Sequence, residues 1–348
     1  MAKKARGGKR TEIGGVRAGV AAAGLALLLP CTVAHSMEIT PFRTGNMAPL
    51  VQIHGLPVPD SARILSQRKG EVSTVADLAN NYAGDGKGNE SVIFDGETYR
   101  FGLDLRYGLV PGVEAGIEIP FIAHSGGFLD SFIEGFHKAF GFTNGGREYA
   151  PRDRLLYRYE TNGTDRFRID DSNGGIGDIR LTGGMQLYDD RSEAPRRVAL
   201  RGALKLPTGD SDRLRGSGSV DFALWLAASD DYRLGSWGHA TIFANAGGTV
   251  MSQGDVLRDQ QRHLAALATV GFGWSPADWM AIKAQSTWHS SLYGGSTLRE
   301  ISNDTLMMTG GGAFAFTERT FLDIAISEDM SVKTAPDVTF HLALRQRF

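Results

Sequence analysis

The stretch that most constrains this fold is the C-terminal one, residues 337–348, because its side chains alternate regularly in character. Apolar side chains dominate one face, whereas polar or small side chains dominate the other. The first face comprises Val338, Phe340, Leu342, Leu344, Gln346 and Phe348, and the second comprises Thr339, His341, Ala343, Arg345 and Arg347. A period of two residues is typical of a β-strand whose two faces meet different surroundings. The chain is therefore predicted to end in such a strand.

The same alternation recurs from Glu71 onward and predicts an all-β protein. Candidate strands span residues 71–82, 97–108, 112–122, 176–188, 197–207, 218–229, 237–251, 262–275, 279–290, 305–316, 320–328 and 337–348. Several have the length of about 9–11 residues that a tilted transmembrane strand needs, and an even strand count is usual in bacterial barrels. We predict a transmembrane, antiparallel, up-and-down β-barrel of about 12 strands over residues 71–348, with a long external loop that carries a short helix.

The connections between the candidate strands alternate in length. Those after even-numbered strands are short, and those after odd-numbered strands are mostly longer, including residues 123–175. Short periplasmic turns and longer external loops characterise outer-membrane barrels, so both ends of the exported chain are predicted to lie in the periplasm. Aromatic residues such as Tyr107, Trp237 and Trp279 fall at strand ends, where membrane interfaces are expected. A soluble β-sandwich offers no reason for this placement.

Residues 1–36 have the organisation of a signal peptide. A basic stretch precedes the apolar residues 18–30, and small residues precede a predicted cut after Ser36, with a cut after Ala34 as the alternative. Removing six bases and one acid changes the formal net charge from −2 to −7, and an acidic chain does not favour nucleic-acid binding. The single cysteine, Cys31, allows no intramolecular disulfide. Residues 37–70 lack strand periodicity and are predicted to form an irregular arm in the periplasm or the lumen.

The polar face of the strands is predicted to line the barrel lumen. The candidate solute contacts are Arg100, Arg106, Arg180, Arg201, Lys205, Asp221, His263 and Lys283. One interpretation is a pore in which rings of basic residues select anions. The other is a lattice of ion pairs that stiffens the wall. Arg201 and Lys205 have no acid in phase on their own strand, which makes them the best candidates for solute contact.

The final strand, with its terminal Phe348, resembles the closing strand of Gram-negative outer-membrane barrels. That resemblance implies that Phe348 is an assembly signal and that the barrel-assembly machinery and outer-membrane lipid are partners. Residues 174–178 (GGIGD) and 206–210 (LPTGD) are similar to segments of phenol meta-pathway transporter-type barrels. Residues 126–147, together with 46–50 (NMAPL) and 55–57 (GLP), resemble a family of uncharacterised outer-membrane barrels. This second resemblance implies fold and location, without an activity.

The loop that begins at Gly126 contains a predicted amphipathic helix. Its apolar residues recur at intervals of three and four and are Leu129, Phe132, Ile133, Phe136 and Phe140. We predict either a lid that presents an apolar binding surface at the mouth of the barrel or a helix that packs on its own loop and the barrel rim.

These features favour a monomeric, narrow passive channel for a small organic solute. The alternative is a non-conducting envelope protein that binds a partner through its external loops, and an outer-membrane lipid hydrolase ranks third. His289 and Ser290 are sequence neighbours on a strand and point to opposite faces, so they do not form a catalytic dyad. We predict no catalytic residues, no metal site and no cofactor.

Overall fold

The computed structural model describes residues 37–128, 153–330 and 333–348. The strands are β1 (Gly70–Lys87), β2 (Glu90–Val110), β3 (Val113–Ser125), β4 (Leu156–Thr161), β5 (Thr164–Ile169), β6 (Asn173–Ile176), β7 (Arg180–Asp189), β8 (Arg196–Lys205), β9 (Asp221–Arg233), β10 (His239–Met251), β11 (Leu264–Ala277), β12 (Met280–His289), β13 (Thr305–Ala315), β14 (Thr320–Asp329) and β15 (Val338–Arg347). The short helical segments are α1 (Arg299–Ser302) and the 3-10 turns Ser211–Arg213 and Gly235–Trp237. None of the helices in the described residues is long and apolar enough to cross a membrane.

Twelve strands, β1–β3 and β7–β15, form a closed antiparallel barrel. Each pairs with its neighbours along the chain, and the last closes on the first through a register from Glu71 opposite Arg347 to Asn80 opposite Val338. Closure leaves no unpaired wall edge. Phe348 extends this seam, because its backbone exchanges hydrogen bonds of 2.9 and 3.0 Å with Gly70. The predicted all-β barrel of about twelve strands is confirmed.

The two faces of each wall strand meet different surroundings. On β2, Phe101, Leu103 and Leu105 are 38–49% exposed on the outside, whereas Arg100 and Asp104 are buried on the inside. An exposed apolar band around a polar interior is the arrangement that a bilayer requires. Aromatic side chains such as Tyr107, Trp237 and Trp279 are exposed near the strand ends.

The two ends of the barrel are built differently. At one, the short-turn end, connections such as residues 111–112 and 278–279 join the strands directly. At the other, the loop end, the connections are mostly longer, but the predicted loop between the first two strands is wrong. Residues 83–96 continue β1 and β2 as a long hairpin, whose glycines and polar residues hide the alternation in the sequence. The connection 126–179 also contains a hairpin, β4–β5, that pairs with β2, and β6, which pairs with β3.

Residues 37–69, which we call the inner segment, occupy the barrel lumen in two passes. The first pass begins at the short-turn end, where His239 Nε2 lies 2.7 Å from the carbonyl oxygen of Met37. It reaches the loop end at Asn46, whose Nδ2 lies 3.0 Å from His289 Nε2. The second pass returns to the short-turn end, where the Arg68 N–H donates to the carbonyl of Gly108. The segment then continues into β1.

Candidate functional site

Toward the short-turn end of the lumen, an ion-pair cluster that we call the Asp60 network joins the inner segment to the wall. Its members are Arg43, Asp60, Asp104, Arg106, Glu114 and Arg201. Asp60 of the inner segment accepts a hydrogen bond of 2.6 Å from Arg106 and lies 3.6 Å from both Arg43 and Arg201. Burial by itself would raise the pKa of Asp60, but the surrounding guanidinium groups hold it well below its usual range. Three arginines face three carboxylates, so the network is balanced in charge.

Arg201 and Lys205, the leading candidates for solute contact, are 3% and 1% exposed. Arg201 donates to Glu114 at 2.7 Å and to the carbonyl oxygens of Ser61 and Arg63 at 2.7 and 3.0 Å. These bonds attach the second pass of the inner segment to β8. Whether Arg201 touches solute stays a prediction, and here its donors are engaged by the protein.

Lys205 occupies a second polar cluster nearer the loop end. Its ammonium donates to Asp178, to Ser217 Oγ at 2.7 Å and to the carbonyl of Ser219 at 2.9 Å. It also lies 3.4 Å from Asp221. Asp221 in turn accepts a hydrogen bond of 2.7 Å from the Gly55 N–H of the inner segment. The GGIGD and LPTGD motifs converge here, because Asp178 also accepts a hydrogen bond of 2.8 Å from the Gly209 N–H.

The remaining candidates of the wall also contact acidic groups or the inner segment. Arg100 bonds to Glu118 and lies 3.5 Å from Asp77. Arg180 donates to the carbonyl of His54 at 3.0 Å. Arg106 belongs to the Asp60 network described above. These contacts match the lattice interpretation of the lumen charges more closely than an open ring of cations.

Lys283 contacts the first pass of the inner segment. It donates to the carbonyl of Thr40 at 3.0 Å and to Asp323 at 2.8 Å, and its ammonium lies 4.0 Å from the centre of the Phe42 ring. His263 differs from the other candidates, because β11 begins one residue later and the His263 side chain is exposed. Its Nδ1 lies 2.9 Å from the carbonyl oxygen of Met251, and its contact with solute stays a prediction.

The short-turn end contains a cavity of about 170 Å³. Eight basic side chains and five acidic ones line it, and they come from the inner segment and the wall. Some lining residues, such as Arg63, Lys69 and Arg319, are exposed, so the cavity opens to solvent at this end. Two cavities further along the lumen measure about 20 and 40 Å³, which is room for one or a few water molecules.

At the loop end, 19 buried apolar residues of the described chain form one cluster, which we call the apolar cap. The inner segment contributes Leu50, Ile53 and Leu56 to it, and the β4–β5 hairpin contributes residues such as Tyr157 and Tyr159. The segment thus packs into an apolar cluster at the end of the lumen that lies opposite the cavity.

Two further predictions concern residues at the barrel rim. The proposed lid residues Leu129, Phe132, Ile133, Phe136 and Phe140 lie outside the described residues. Phe348 is 57% exposed, and its ring crosses Gly70 so closely that a Cβ there would lie 2.2 Å from the ring. The role of Phe348 in assembly stays a prediction.

Sequence reasoning did not identify the residues of the inner segment that engage the wall. Arg43 and Asp60 lie in a stretch without periodicity, and the only available signal was a few charges among prolines. Among the described residues, no group of histidine, cysteine or carboxylate side chains could hold a metal ion.

Comparison with solved structures finds similar barrels. The COG4313 outer membrane channel from Pseudomonas putida F1 is similar, with a TM-score of 0.50 and 14% identity over 82% of this chain and 98% of that chain. Similarity to the NanC porin gives a TM-score of 0.43 and 7% identity over 79% and 98% of the two chains. For the CymD monoaromatic hydrocarbon channel the TM-score is 0.35, with 10% identity over 88% and 94%. At such low identities the likeness to the first of these is one of fold.

No curated protein matches this chain in sequence. Residues 21–348 match a family described as "Protein of unknown function (DUF3187)". Because the match spans nearly the whole chain, the protein belongs to the DUF3187 family.

Proposed function

We propose that the protein is a monomeric, passive outer-membrane channel for small organic solutes, closed by its own inner segment. Export by residues 1–36 and assembly through the terminal Phe348 are parts of this proposal. The observation that carries it is that the wall closes without the inner segment. All twelve wall strands are paired to one another, and the described hydrogen bonds between residues 37–66 and the wall involve at least one side chain. The segment can therefore move without breaking the strand ladder.

Movement of the whole segment carries a large energetic cost at the apolar cap. Leu50, Ile53 and Leu56 are 1–8% exposed, and exposing three such side chains costs about 5–9 kcal/mol at about 1.5–3 kcal/mol each. Spontaneous opening is therefore rare, and a solute or partner that stabilises the displaced segment favours the open state.

The test is conductance of the purified, refolded chain in planar bilayers. Deleting residues 37–66 should give a steady conductance at least tenfold above that of chain 37–348, because the occupied lumen becomes a water-filled one. A barrel that is folded but remains electrically silent after the deletion would reject the channel proposal.

An engineered disulfide between the inner segment and the wall provides the matched control in a chain that retains the inner segment. An ideal Cβ on Gly273 of β11 would lie 2.4 Å from Cγ2 of Ile39, so cysteines at these two positions are close enough to be bridged. No other cysteine is present after residue 31. Oxidation of Ile39→Cys/Gly273→Cys should suppress the openings of the channel, and reduction should restore them.

The second candidate function is a non-conducting envelope protein that binds a partner through its loops. The apolar cap favours it, since a permanently closed loop end suits a surface scaffold. This alternative expects no conductance with or without residues 37–66. The lipid-hydrolase alternative lacks a free base at His289, because its Nε2 lies 3.0 Å from Asn46 Nδ2 and its Nδ1 lies 3.0 Å from the carbonyl oxygen of Ser290.

A further inference from the structure

Most cations at the short-turn end belong to groups in which bases and acids are equal in number. The Asp60 network pairs three arginines with three carboxylates. At the mouth of the cavity, Arg347 contacts both Glu38 and Glu71 at 2.8 Å, and Arg63 contacts Glu38 at 3.2 Å. Two bases and two acids again balance. Arg345 instead pairs with Asp323 of β14.

Arg345 is a buried cation with an incomplete set of partners. It is 6% exposed, its Nη2 lies 3.4 Å from Asp323 Oδ2, and its Nε is buried without a hydrogen-bond partner. Asp323 is already engaged by Lys283 at 2.8 Å. One carboxylate therefore serves two cations, and the other contact of the Arg345 guanidinium is the face of the Phe321 ring, whose centre lies 5.4 Å away. Buried guanidinium groups are normally fully paired, because an unpaired one loses its hydration without compensation.

The cavity of about 170 Å³ lies directly beside Arg345. The lining of the cavity combines the Arg345 side chain with apolar side chains that include Pro41, Val75 and Ala343. A planar guanidinium fork matches a carboxylate, which accepts two parallel hydrogen bonds. The neighbouring apolar lining suits a short hydrocarbon body and gives no advantage to a compact inorganic anion.

We infer that this cavity is a binding site for small organic carboxylates, with Arg345 as the anion-binding group. The carboxylate accepts hydrogen bonds from Arg345, and its apolar body packs against Pro41, Val75 and Ala343. The inference deepens the proposed channel function and rests on it for its physiological meaning. Binding at equilibrium is nevertheless measurable in a barrel that does not conduct, so the two proposals fail separately.

The test is a calorimetric titration of the purified chain 37–348 in detergent micelles with propionate at low ionic strength and neutral pH. Propionate should bind, and its uncharged analogue propionamide should not. Arg345→Gln should weaken propionate binding at least tenfold, which corresponds to about 1.4 kcal/mol. Asp323→Asn should strengthen it at least threefold, because the competing carboxylate is gone. A merely structural role of Arg345 does not predict this gain.

Arg197→Gln is the matched control. Arg197 also lies at the short-turn end and pairs with Asp189 and Asp231 at 3.4 and 3.5 Å, but it does not line the cavity. This variant should bind propionate within twofold of the parent. Folding of each variant is checked by its electrophoretic mobility without heating.

Three results would overturn the inference. Absence of propionate binding, or unchanged binding in a folded Arg345→Gln barrel, would remove the site. Equal competition by phosphate or chloride would reject the carboxylate class in favour of a general anion site.

Discussion

The two ends of the lumen hold the same inner segment by different forces. At the loop end, Leu50, Ile53 and Leu56 are buried in the apolar cap of 19 residues. At the short-turn end, Glu38 of the segment pairs with Arg347 and with Arg63, whose side chain is 47% exposed, and Met37 and Ile39 are buried in a smaller apolar cluster of six residues. Apolar burial contributes several kcal/mol per cluster, whereas exposed ion pairs contribute about 0–1 kcal/mol each.

This difference indicates an order of release. The contacts of Glu38 at the short-turn end are weak individually and screened by salt, and the apolar cluster there is smaller than the apolar cap, so the start of the segment is expected to loosen first. The apolar cap determines whether the lumen opens through to the other side. A solute in the cavity at the short-turn end therefore meets a closed passage until the cap yields.

The largest effect is expected from Ile53→Ala at the loop end. Ile53 is 1% exposed, and truncating a buried isoleucine costs about 2–5 kcal/mol. The free energy that holds the segment should fall by that amount, and the open fraction in bilayer recordings should rise at least 30-fold. Ile242→Ala, which removes an isoleucine that is 52% exposed on the outer face of β10, should leave the open fraction nearly unchanged. Equal effects of the two variants would contradict the role of the cap.

Acidification should also act at the loop end, through His54. Its Nε2 lies 2.8 Å from the Tyr293 hydroxyl, and the charged groups that face its ring are Asp221, Lys205 and Asp178. Burial, assisted by the Lys205 ammonium, lowers the pKa of His54 to about 3. The displaced segment, with an ordinary histidine pKa of about 6.5, then binds more protons than the seated one. The contribution of neutral His54 to the stability of the seated segment is complete above about pH 6.5. It is lost progressively as the pH falls from there toward the His54 pKa of about 3.

Between pH 7 and pH 5 this loss amounts to about 2 kcal/mol, so the open fraction should rise by more than tenfold. His54→Asn retains a hydrogen-bonding partner for Tyr293 but does not titrate, and it should abolish most of the pH dependence. At the other end, burial would raise the pKa of Glu38, but Arg347, Arg63 and Arg345 outweigh this effect and hold it well below its usual range. Glu38 thus stays ionised throughout this interval. Unchanged pH dependence in His54→Asn would assign the effect to another group.

A smaller effect is expected from Glu38→Gln at the short-turn end. The substitution removes the charge that pairs with Arg347 and Arg63, and the seated segment should lose about 1 kcal/mol, since such pairs are partly hydrated. Protease cleavage near the start of the inner segment should accelerate about fivefold. Glu193→Gln, in a turn pair with Arg233 at 3.2 Å, should not change the rate. If Glu38→Gln accelerated this cleavage as much as Ile53→Ala does in the same assay, the proposed order of release would be reversed.

The smallest effect is a difference in salt dependence between the contacts at the two ends of the lumen. Raising the ionic strength from 0.1 to 1 M shortens the Debye length from about 10 to about 3 Å. The difference in cleavage rate between Glu38→Gln and the parent should therefore shrink, whereas the effect of Ile53→Ala should persist. Loss of both effects in high salt would argue against an apolar hold at the loop end.

The wall of the barrel was predictable because its signal is local. Leu342 faces lipid and Ala343 faces the lumen, as successive residues of a strand point to opposite faces. This period of two residues can be recognised in one strand without knowing which strands pair with it. The extension of β1 and β2 over residues 83–96 was missed, since its polar residues and glycines lack that alternation. Pairing with β4 supplies the hydrogen bonds that the sequence pattern does not indicate.

The candidate site was predictable only in composition. Arg201 and Lys205 do face inward, but no pattern in the sequence identifies Asp60 or Ser219 as their neighbours. Asp60 is 46 residues away from Arg106, and its contact with Arg201 joins different parts of the chain. Such pairs depend on how β8 and the inner segment are placed together.

By itself, the sequence determined an all-β wall with an apolar outer face. Each strand must pair its backbone hydrogen-bonding groups and place apolar side chains toward lipid and polar ones toward the lumen, and these requirements act within a few residues of the chain. Only the tertiary structure decided what fills that wall. Residues 37–69 have neither a ladder nor a periodic face, so their path is fixed by side chains from separate strands, such as Arg201, Asp221 and Lys283. Those side chains meet only once the barrel has closed, and their meeting decides that the lumen contains a segment of its own chain.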